Sequence, residues 1–574
     1  MKTKYITKLI LATCLSSTIS LNSCIEEAFP ESGTATIDQV GKSEQAMDAM
    51  FNSVVAYINK WQSYGFNFGH DFGYSGYNLV REVACEDLLT YTANYDWFDT
   101  FGVCNSLGDD LVVNCIWYYN YKFLNTITNT LNALEEANND DVRKHYEGIC
   151  MAYRAMIYMD LARMYEYKKT GIEHLDAEAE KNKIYGLTVP IVTTSTTEEE
   201  GRNNPRAPFY TIYQLILNDL SLSEEKLSDY QRPTKNLPST AVVHGLMARM
   251  WLEMGSRFEN SPSDLQNLNN NTDLNITSYQ DCFAKAAEYA RKAISESGAI
   301  PLSEKEWFGG TNYTEGFNSV MSPSWIWGSI LTTQDVHDKF YNFIGNMSPE
   351  QTFGINGYKY KVYRMISKNL FDKIPDADWR KTTWVAPEDA HKAPGSKYRT
   401  IVTDEAFKDM PAYTGIKFRP KNGEMNDCYT GACADYPLMR VEEMFLIEAE
   451  ALAHSKGVAA GIAALENFVN TYRYKDGSYT CNVTDIKDFQ EKVIEQKRIE
   501  FWGEGIIFWD YKRLNLQVVR GYPETNAIEG YRFNSVEGYC APWMNIFISI
   551  YENVYNKAAI LNPDPSQAIN EWVE

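Results

Sequence analysis

Apolar side chains recur every three or four residues along several long stretches of the chain, which is the period of an amphipathic helix. Between residues 140 and 167 the repeat passes through Tyr146, Ile149, Tyr153 and Ile157, and it predicts one long helix. The same period predicts further helices over residues 209–227, 240–258, 279–297, 440–455, 458–472 and 486–502. Helix pairs of roughly 34 residues are typical of tetratricopeptide repeats. We therefore predict a mostly α-helical scaffold built from degenerate repeats of this type.

Two stretches lack the helical period. Residues 61–101 are dense in Tyr, Phe, Gly and Asn, and residues 301–437 mix these residues and Pro with short strand-like runs such as Trp325-Ile326-Trp327. The first stretch predicts an early loop region, and the second predicts a large irregular insertion with a few short strands. Both tryptophans of the strand-like run are expected in the core. Long loops on a rigid helical frame are where binding residues usually lie.

The N-terminus has the pattern of an export signal. Three lysines within the first eight residues precede an apolar run over residues 9–21, which is too short to span a bilayer. Leu21-Asn22-Ser23-Cys24 follows and resembles the bacterial lipobox, in which the cysteine is acylated and the chain is cut in front of it. We expect a signal peptide over residues 1–23 and a lipid anchor on Cys24. The alternative is an ordinary signal peptide with a chance cysteine.

The mature chain would then span residues 24–574 as one domain, with an N-terminal part over 24–230 and a C-terminal part over 231–574. Its first residues after the lipid site, Ile25-Glu26-Glu27, resemble the acidic signal that sends lipoproteins to the outer face of the outer membrane. We therefore expect a lipid-anchored protein of the outer membrane that faces the extracellular side.

Charge and composition narrow the possible functions. The 574 residues include 54 Lys and Arg and 76 Asp and Glu, which gives a net charge of -22. This charge excludes a nucleic-acid-binding protein, because it would repel the phosphate backbone. Loss of three lysines with the signal peptide would take this charge to -25. Aromatic residues make up 14% of the chain, more than a core needs, so some are expected to face a ligand or a partner protein.

Cysteine and histidine spacings do not indicate a metal site or a cofactor. The chain has eleven cysteines but no paired Cys-x2-Cys motif, and its seven histidines are scattered. Without Cys14 and Cys24 nine cysteines remain, an odd number, so at least one thiol stays unpaired within the chain. Cys150 lies on a helical apolar stripe and is expected to be buried, whereas Cys428 and Cys433 could either form a bridge or stay free.

Three segments together resemble the SusD/RagB family of outer-membrane nutrient-binding lipoproteins. The first contains Tyr153-Arg154-Ala155-Met156 and, later, Tyr185-Gly186-Leu187-Thr188-Val189-Pro190-Ile191. The second is Arg440-Val441-Glu442-Glu443-Met444-Phe445-Leu446-Ile447-Glu448-Ala449-Glu450-Ala451. The third and most specific is Lys497-Arg498-Ile499-Glu500-Phe501-Trp502-Gly503-Glu504-Gly505, which continues through Phe508-Trp509-Asp510-Tyr511-Lys512-Arg513. The chain departs from the family pattern at Gln496, where Glu is usual, and at Ile507, where a basic residue is common.

The resemblance implies a SusD-like helical fold and a protein without catalytic activity. Members capture oligosaccharides or other nutrients and pass them to a TonB-dependent outer-membrane transporter of the SusC type, which would be the partner. Two alternatives stay open at this point. One is a surface glycoside hydrolase, which needs two carboxylates on either side of a cleft, and the other is a repeat scaffold or adhesin that binds only protein.

Charged residues of the third segment are expected to be structural. Arg498, Glu500, Glu504, Asp510 and Arg513 alternate with large aromatic residues, so they should be partly buried and paired with one another or with other charges. The alternative role of Glu500 and Glu504 is that of an acid and a base. Their position at a helix end among core aromatics argues against it, and no catalytic residue is predicted.

Ligand contacts are expected on the early loop region and at the start of the insertion, because in the resembling family loops from these two regions form the binding surface. Aromatic rings stack on the apolar faces of sugars, while polar groups bind their hydroxyls. The candidate residues are Trp61, Tyr64, Phe66, Arg81, Trp97, Trp307 and Tyr313. Trp97 is the strongest candidate, since Asn94-Tyr95-Asp96-Trp97 places a ring beside hydroxyl-binding groups.

Overall fold

The computed structural model describes most of the chain after residue 39. The described residues are 40–65, 69–92, 96–108, 110–135, 140–309, 317–336, 341–349, 363–394, 397–398, 404–425 and 427–573. The predicted signal peptide and Cys24 lie outside these ranges, and so do the candidate residues Phe66 and Tyr313.

The described chain is mostly α-helical, as the apolar period predicts. The helices of its first half are α1 (Glu44–Tyr57), α2 (Tyr74–Ala84), α3 (Asp99–Val103), α4 (Leu111–Glu135), α5 (Asp140–Tyr165), α6 (Glu173–Asn182), α7 (Glu198–Gly201), α8 (Phe209–Lys226), α9 (Thr240–Asn260), α10 (Pro262–Asn271) and α11 (Tyr279–Ser297). Those of its second half are α12 (Glu304–Phe308), α13 (Phe343–Met347), α14 (Lys368–Phe371), α15 (Asp404–Phe407), α16 (Cys428–Ala432), α17 (Val441–Lys456), α18 (Val458–Tyr472), α19 (Ile486–Glu500), α20 (Ile507–Leu514) and α21 (Ile550–Tyr555). Short 3-10 turns occur at Trp379–Thr383, Pro387–Asp389, Lys421–Gly423, Glu529–Tyr531 and Pro542–Met544.

All seven helices predicted from the apolar period are present, as α5, α8, α9, α11, α17, α18 and α19. Each packs on the next in a continuous succession: α4 on α5, α5 on α8, α8 on α9, α9 on α11, α11 on α17, and α17 on α18 and α19. Stacked helix pairs of this type bury a shared core that no single pair could form. The prediction of a mostly helical scaffold is confirmed.

The early loop region is partly helical, contrary to the prediction. Helix α2 lies inside it, and all eleven residues of this helix are buried. The helix is short, and its polar side chains, among them Asn78 and Glu82, are hydrogen-bonded inside the protein and do not face solvent. Ser75, Gly76 and Asn78 are buried within α2, although their residue types suggested a loop.

Three short antiparallel strand pairs join distant parts of the chain. β1 (Leu88–Thr90) pairs with β3 (Arg364–Ile366), β2 (Trp325–Ser329) pairs with β4 (Tyr436–Arg440), and β5 (Phe533–Asn534) pairs with β6 (Asn570–Glu571). The predicted strand-like run is β2, and Trp325 and Trp327 are fully buried, as expected. The β1–β3 pair ties the early loop region to the insertion, and β2–β4 ties the insertion to the start of α17.

Buried charges of the third motif segment form ion pairs in the core. Glu500 bonds to Arg473 at 2.8 Å, to Arg380 at 2.9 Å and to Arg440 at 3.0 Å, and all four side chains are inaccessible to solvent. Burial alone would raise the pKa of Glu500, but the three guanidinium groups hold it well below its ordinary value. The predicted pairing of these charges is confirmed, and such groups fix geometry more than they add stability.

The rest of the segment is paired in the same way. Glu504 bonds to Lys417 at 2.6 Å, Arg498 bonds to Asp87 at 2.6 Å, and Asp510 bonds to Arg513 at 2.7 Å. Gln496, where the family usually has Glu, accepts a hydrogen bond from Arg380 at 2.6 Å. The amide therefore keeps one strong contact to this network without adding a charge.

The cysteines that the structure describes with their side chains are free and buried, among them Cys150, as predicted. Cys433 is free, and its thiol donates to the carbonyl of Tyr429 at 2.9 Å. The Cys428 side chain lies outside the described part of the structure. In the described part of the chain, no helix is long and apolar enough to cross a membrane.

Candidate ligand-binding surface

Trp97 presents one face of its indole ring to solvent and rests the other on backbone. An ideal Cβ atom placed on Gly69 would lie 2.3 Å from Cγ and 2.4 Å from Cδ1 of Trp97, so only glycine allows the ring to pack this closely. The side chain is nevertheless 43% exposed. A large aromatic ring with one supported face and one free face is the geometry that stacks on a sugar ring.

A buried ion pair fixes the segment that holds Trp97. Asp96 is bonded by both terminal nitrogens of Arg364, at 2.5 and 2.8 Å, and both side chains are almost inaccessible to solvent. Arg364 Nε also donates to the carbonyl of Asn346 at 3.2 Å. A bidentate pair of this kind has a defined orientation as well as a strong attraction. Trp97 is therefore attached to strand β3, and not to a free loop.

Tyr91 is a second exposed ring attached to the same strand. It is 46% exposed, its N–H donates to the carbonyl of Tyr363 at 3.0 Å, and the two rings meet edge to face with centroids 6.5 Å apart. Tyr363 immediately precedes Arg364, so Tyr91 and Trp97 are both held by one two-residue segment. We call the exposed rings of Tyr91 and Trp97 the aromatic platform, which the buried Tyr363 supports.

The structure places Trp61 and Tyr64 at half-buried positions in the early loop region. Trp61 forms a backbone bridge with Phe72. Tyr64 donates its N–H to Asp71 at 3.1 Å, and its ring meets that of Tyr118 at a centroid distance of 4.9 Å. Both side chains pack against the core but keep part of their surface exposed to solvent, so they remain candidate ligand contacts.

Arg81 and Trp307 lie in the interior, and this corrects their prediction as ligand contacts. Arg81 faces inward from the buried helix α2, 3.5 Å from Asp160 and stacked over Trp509 at 4.6 Å, with only 4% of the residue exposed. Trp307 on α12 is fully buried among other aromatic rings, including Trp379 at 5.6 Å. Neither side chain offers a surface to a ligand.

Tyr91 is the platform residue that sequence reasoning missed. Tyr91 lies in the predicted early loop region, but the strand pairing that positions it was not visible in the sequence. That pairing joins residues 274 to 278 positions apart. Only the fold reveals that the two segments meet.

The carboxylates next to Trp97 are already engaged. Asp96 is bound by Arg364, and Asp99 accepts a hydrogen bond from the hydroxyl of Tyr531 at 2.7 Å. Glu500 and Glu504 are buried in the charge network and do not reach this surface. Among the residues that the structure describes, no group of three or more His, Cys, Asp or Glu side chains could hold a metal ion.

Comparisons with known proteins agree with this architecture. Residues 40–252 match the family model SusD-like_3, described as starch-binding associating with outer membrane, and residues 302–571 match the model of the SusD family. No curated protein is similar enough in sequence to match the chain.

Solved structures share the fold over nearly the whole chain. A SusD-like carbohydrate binding protein from Bacteroides vulgatus has 20% identity and a TM-score of 0.66, over 90% of this chain and 97% of that one. A putative sugar binding protein from the same species has 17% identity and a TM-score of 0.62, over 91% and 98% of the two chains. A SusD superfamily protein from Bacteroides thetaiotaomicron has 15% identity and a TM-score of 0.62, over 92% and 100%. The two family models together match most of the chain, which belongs to the SusD family.

Proposed function

We propose that this protein binds oligosaccharides at the cell surface and has no catalytic activity of its own. The observation that carries the proposal is the Trp97 indole, packed on Gly69, fixed through Asp96 and Arg364, and open on its other face. Tyr91 supplies a second ring, and half-buried Trp61 and Tyr64 extend the candidate surface. The carbohydrate-binding descriptions of two proteins with the same fold support this choice of ligand.

The proposal includes the route by which the ligand leaves the protein. The lipid on Cys24 would hold the chain on the outer membrane, and a SusC-type TonB-dependent transporter would receive the oligosaccharide. Support comes from the lipobox and from the family description, which associates its members with the outer membrane. A chain of net charge -22 would not lie flat on an anionic lipid surface, which favours contact with a protein partner.

A binding screen tests the proposal directly. The soluble chain from Ile25 onward would be titrated calorimetrically with neutral and acidic oligosaccharides, and each mixture would be assayed for new reducing ends. We expect saturable binding of at least one oligosaccharide and no release of reducing sugar. Binding of none of them would contradict the ligand assignment, and hydrolysis by the pure protein would contradict the absence of catalysis.

A further inference from the structure

A cleft of about 920 Å³ lies away from the aromatic platform, on other elements of the fold. It is formed where the end of α5, the start of α8 and the end of α9 meet the segments that contain Asn515 and Tyr539. We call it the Tyr539 cleft. Its volume is within the range of small-molecule sites, which is about 300 to 1,000 Å³.

Tyr539 lies in this cleft much as Trp97 lies on the platform. An ideal Cβ atom on Gly171 would lie 2.9 Å from Cδ2 and 3.1 Å from Cγ of Tyr539, so the ring packs closely on glycine, here with a positive φ of 73°. The residue is still 40% exposed. The adjacent Cys540 N–H donates to the carbonyl of Lys169 at 3.0 Å and fixes the position of the ring. Tyr185 and Tyr210 add further aromatic surface to the lining.

Two lysines in the lining have no carboxylate partner among the described residues. Lys168 is half-buried and Lys169 is exposed, with its ammonium group 5.7 Å from the centre of the Tyr185 ring. The backbone of Lys168 is fixed by Asn545, which accepts its N–H at 2.9 Å and donates to its carbonyl at 2.8 Å. Two such charges side by side are notable in a chain of net charge -22.

The other two cations of the lining, Arg257 and Arg513, are already neutralised. Arg257 bonds to Glu166 at 2.7 Å and to Asp264 at 2.8 Å. Arg513 bonds to Glu450 at 2.6 Å and to Asp510 at 2.7 Å. The neighbouring Lys512 is buried and donates to the carbonyls of Met164 and Met544, at 2.6 and 2.8 Å. Burial lowers the pKa of Lys512 to about 7, and repulsion from Lys168 contributes to this shift. An anion near Lys168 would therefore relieve a like-charge repulsion.

A hydrogen-bond acceptor in the lining has no partner. Asn515, in the left-handed conformation at the end of α20, lines the cleft, and its Oδ1 atom is buried without a hydrogen bond. A buried acceptor without a donor is costly, and a hydroxyl group of a ligand would satisfy it.

We propose that the Tyr539 cleft is a second saccharide site that binds acidic sugars. The sugar ring stacks on the Tyr539 side chain, and the carboxylate or sulfate of the sugar binds Lys168 and Lys169. This inference rests on the proposed function only in taking carbohydrate as the ligand class. The residues of the cleft and those of the aromatic platform are different, so the two sites can be tested separately.

The test uses calorimetry on the soluble chain with trigalacturonate, a chondroitin sulfate tetrasaccharide and the neutral galactotriose. We expect at least one acidic probe to bind at least tenfold more tightly than the neutral one. The double variant K168Q/K169Q and the variant Tyr539→Ala should each weaken that binding at least tenfold. The double variant K181Q/K183Q removes the same charge from lysines outside the lining and should leave binding unchanged.

The variant Trp97→Ala separates this inference from the proposed function. If the cleft is a separate site, Trp97→Ala leaves binding of the acidic probe intact. Loss of that binding in Trp97→Ala but not in K168Q/K169Q would place the acidic ligand on the aromatic platform and overturn the inference. The inference would also be overturned if acidic and neutral probes bound with equal affinity, or if neither acidic probe bound. Neither result would contradict the binding of neutral sugars at the aromatic platform.

Discussion

His70 lies directly beneath the candidate surface, next to the glycine that supports Trp97. It is 4% exposed, and its ring meets Phe98 edge to face at 6.5 Å. Burial lowers the pKa of His70 to about 3. In the folded protein the imidazole is therefore neutral over the whole physiological range.

This shift predicts a loss of stability in acid. Between pH 6.5 and pH 3 the unfolded chain holds a proton on His70 that the folded chain does not, so the free energy of unfolding falls as the pH decreases through this window. The slope from one such group approaches about 1.4 kcal/mol per pH unit. Denaturant titrations between pH 7 and pH 4 should show a shallower decline for His70→Gln than for the wild type. The exposed His174→Gln serves as the control and should follow the wild type; an unchanged slope in His70→Gln would contradict the prediction.

Residue type alone separated exposed from buried candidates only in part. Trp97 was identified because a ring stood beside polar residues in a loop, and the structure exposes it. Trp and Arg are common in binding sites, yet Trp307 and Arg81 are both buried. Whether a Trp or an Arg faces ligand or core depends on what packs against it, and those contacts come from distant parts of the chain.

Helix α2 connects the early region to the most specific motif of the chain. Glu82 on α2 accepts the N–H groups of Gly503 at 2.9 Å and of Gly505 at 2.8 Å. Gly505 has a positive φ of 71°, and an ideal Cβ atom on it would lie 2.4 Å from the carbonyl oxygen of Asn78. This loop therefore needs glycine both for its conformation and for its close approach to α2.

Substitution of Gly505 by alanine should lower the free energy of unfolding by more than the cost of placing a side chain at positive φ. Gly477 has a positive φ of 63° but no atom within 4 Å of an ideal Cβ, so Gly477→Ala measures the conformational cost, about 1 to 2 kcal/mol. Gly505→Ala adds a clash with backbone and should cost at least about 2 kcal/mol more. Urea unfolding of the two variants gives the comparison. Equal losses of stability would show that α2 does not pack on the loop as described.

Long helices with a sustained apolar period were predictable, and elements that are positioned by distant contacts were not. The helices α5, α8 and α9 begin and end within a few residues of their predicted limits because their apolar side chains keep the helical period over several turns. In α4 the buried positions include polar residues such as Asn114, Asn120 and Thr130, which blur the apolar period. The β1–β3 pairing could not be predicted, since it joins two segments that are far apart in the sequence.

At the scale of the whole molecule, the membrane anchor stays a prediction. Replacement of Cys24 by Ala removes the thiol that would be acylated, so the variant should leave the membrane fraction and appear in soluble fractions. Labelled fatty acid should enter the wild type but not Cys24→Ala. Wild-type protein that takes up no label, or a variant that stays with the membrane, would contradict the lipoprotein assignment.

The partnership with a transporter is tested on the intact protein. Detergent extraction of the lipidated chain, followed by pull-down, should recover an outer-membrane β-barrel of the SusC type. The Trp97→Ala variant should recover the same barrel, because its fold and anchor are unchanged. Recovery of the chain alone, under conditions that keep other outer-membrane complexes intact, would favour the scaffold or adhesin alternative.

The most direct test of the central claim compares the wild type with Trp97→Ala for the oligosaccharide identified in the binding screen. A stacked aromatic ring contributes about 1 to 3 kcal/mol, so its loss should weaken binding roughly tenfold or more by calorimetry. The melting temperature should stay close to that of the wild type because the ring is 43% exposed. Unchanged affinity in a folded Trp97→Ala variant would contradict the account.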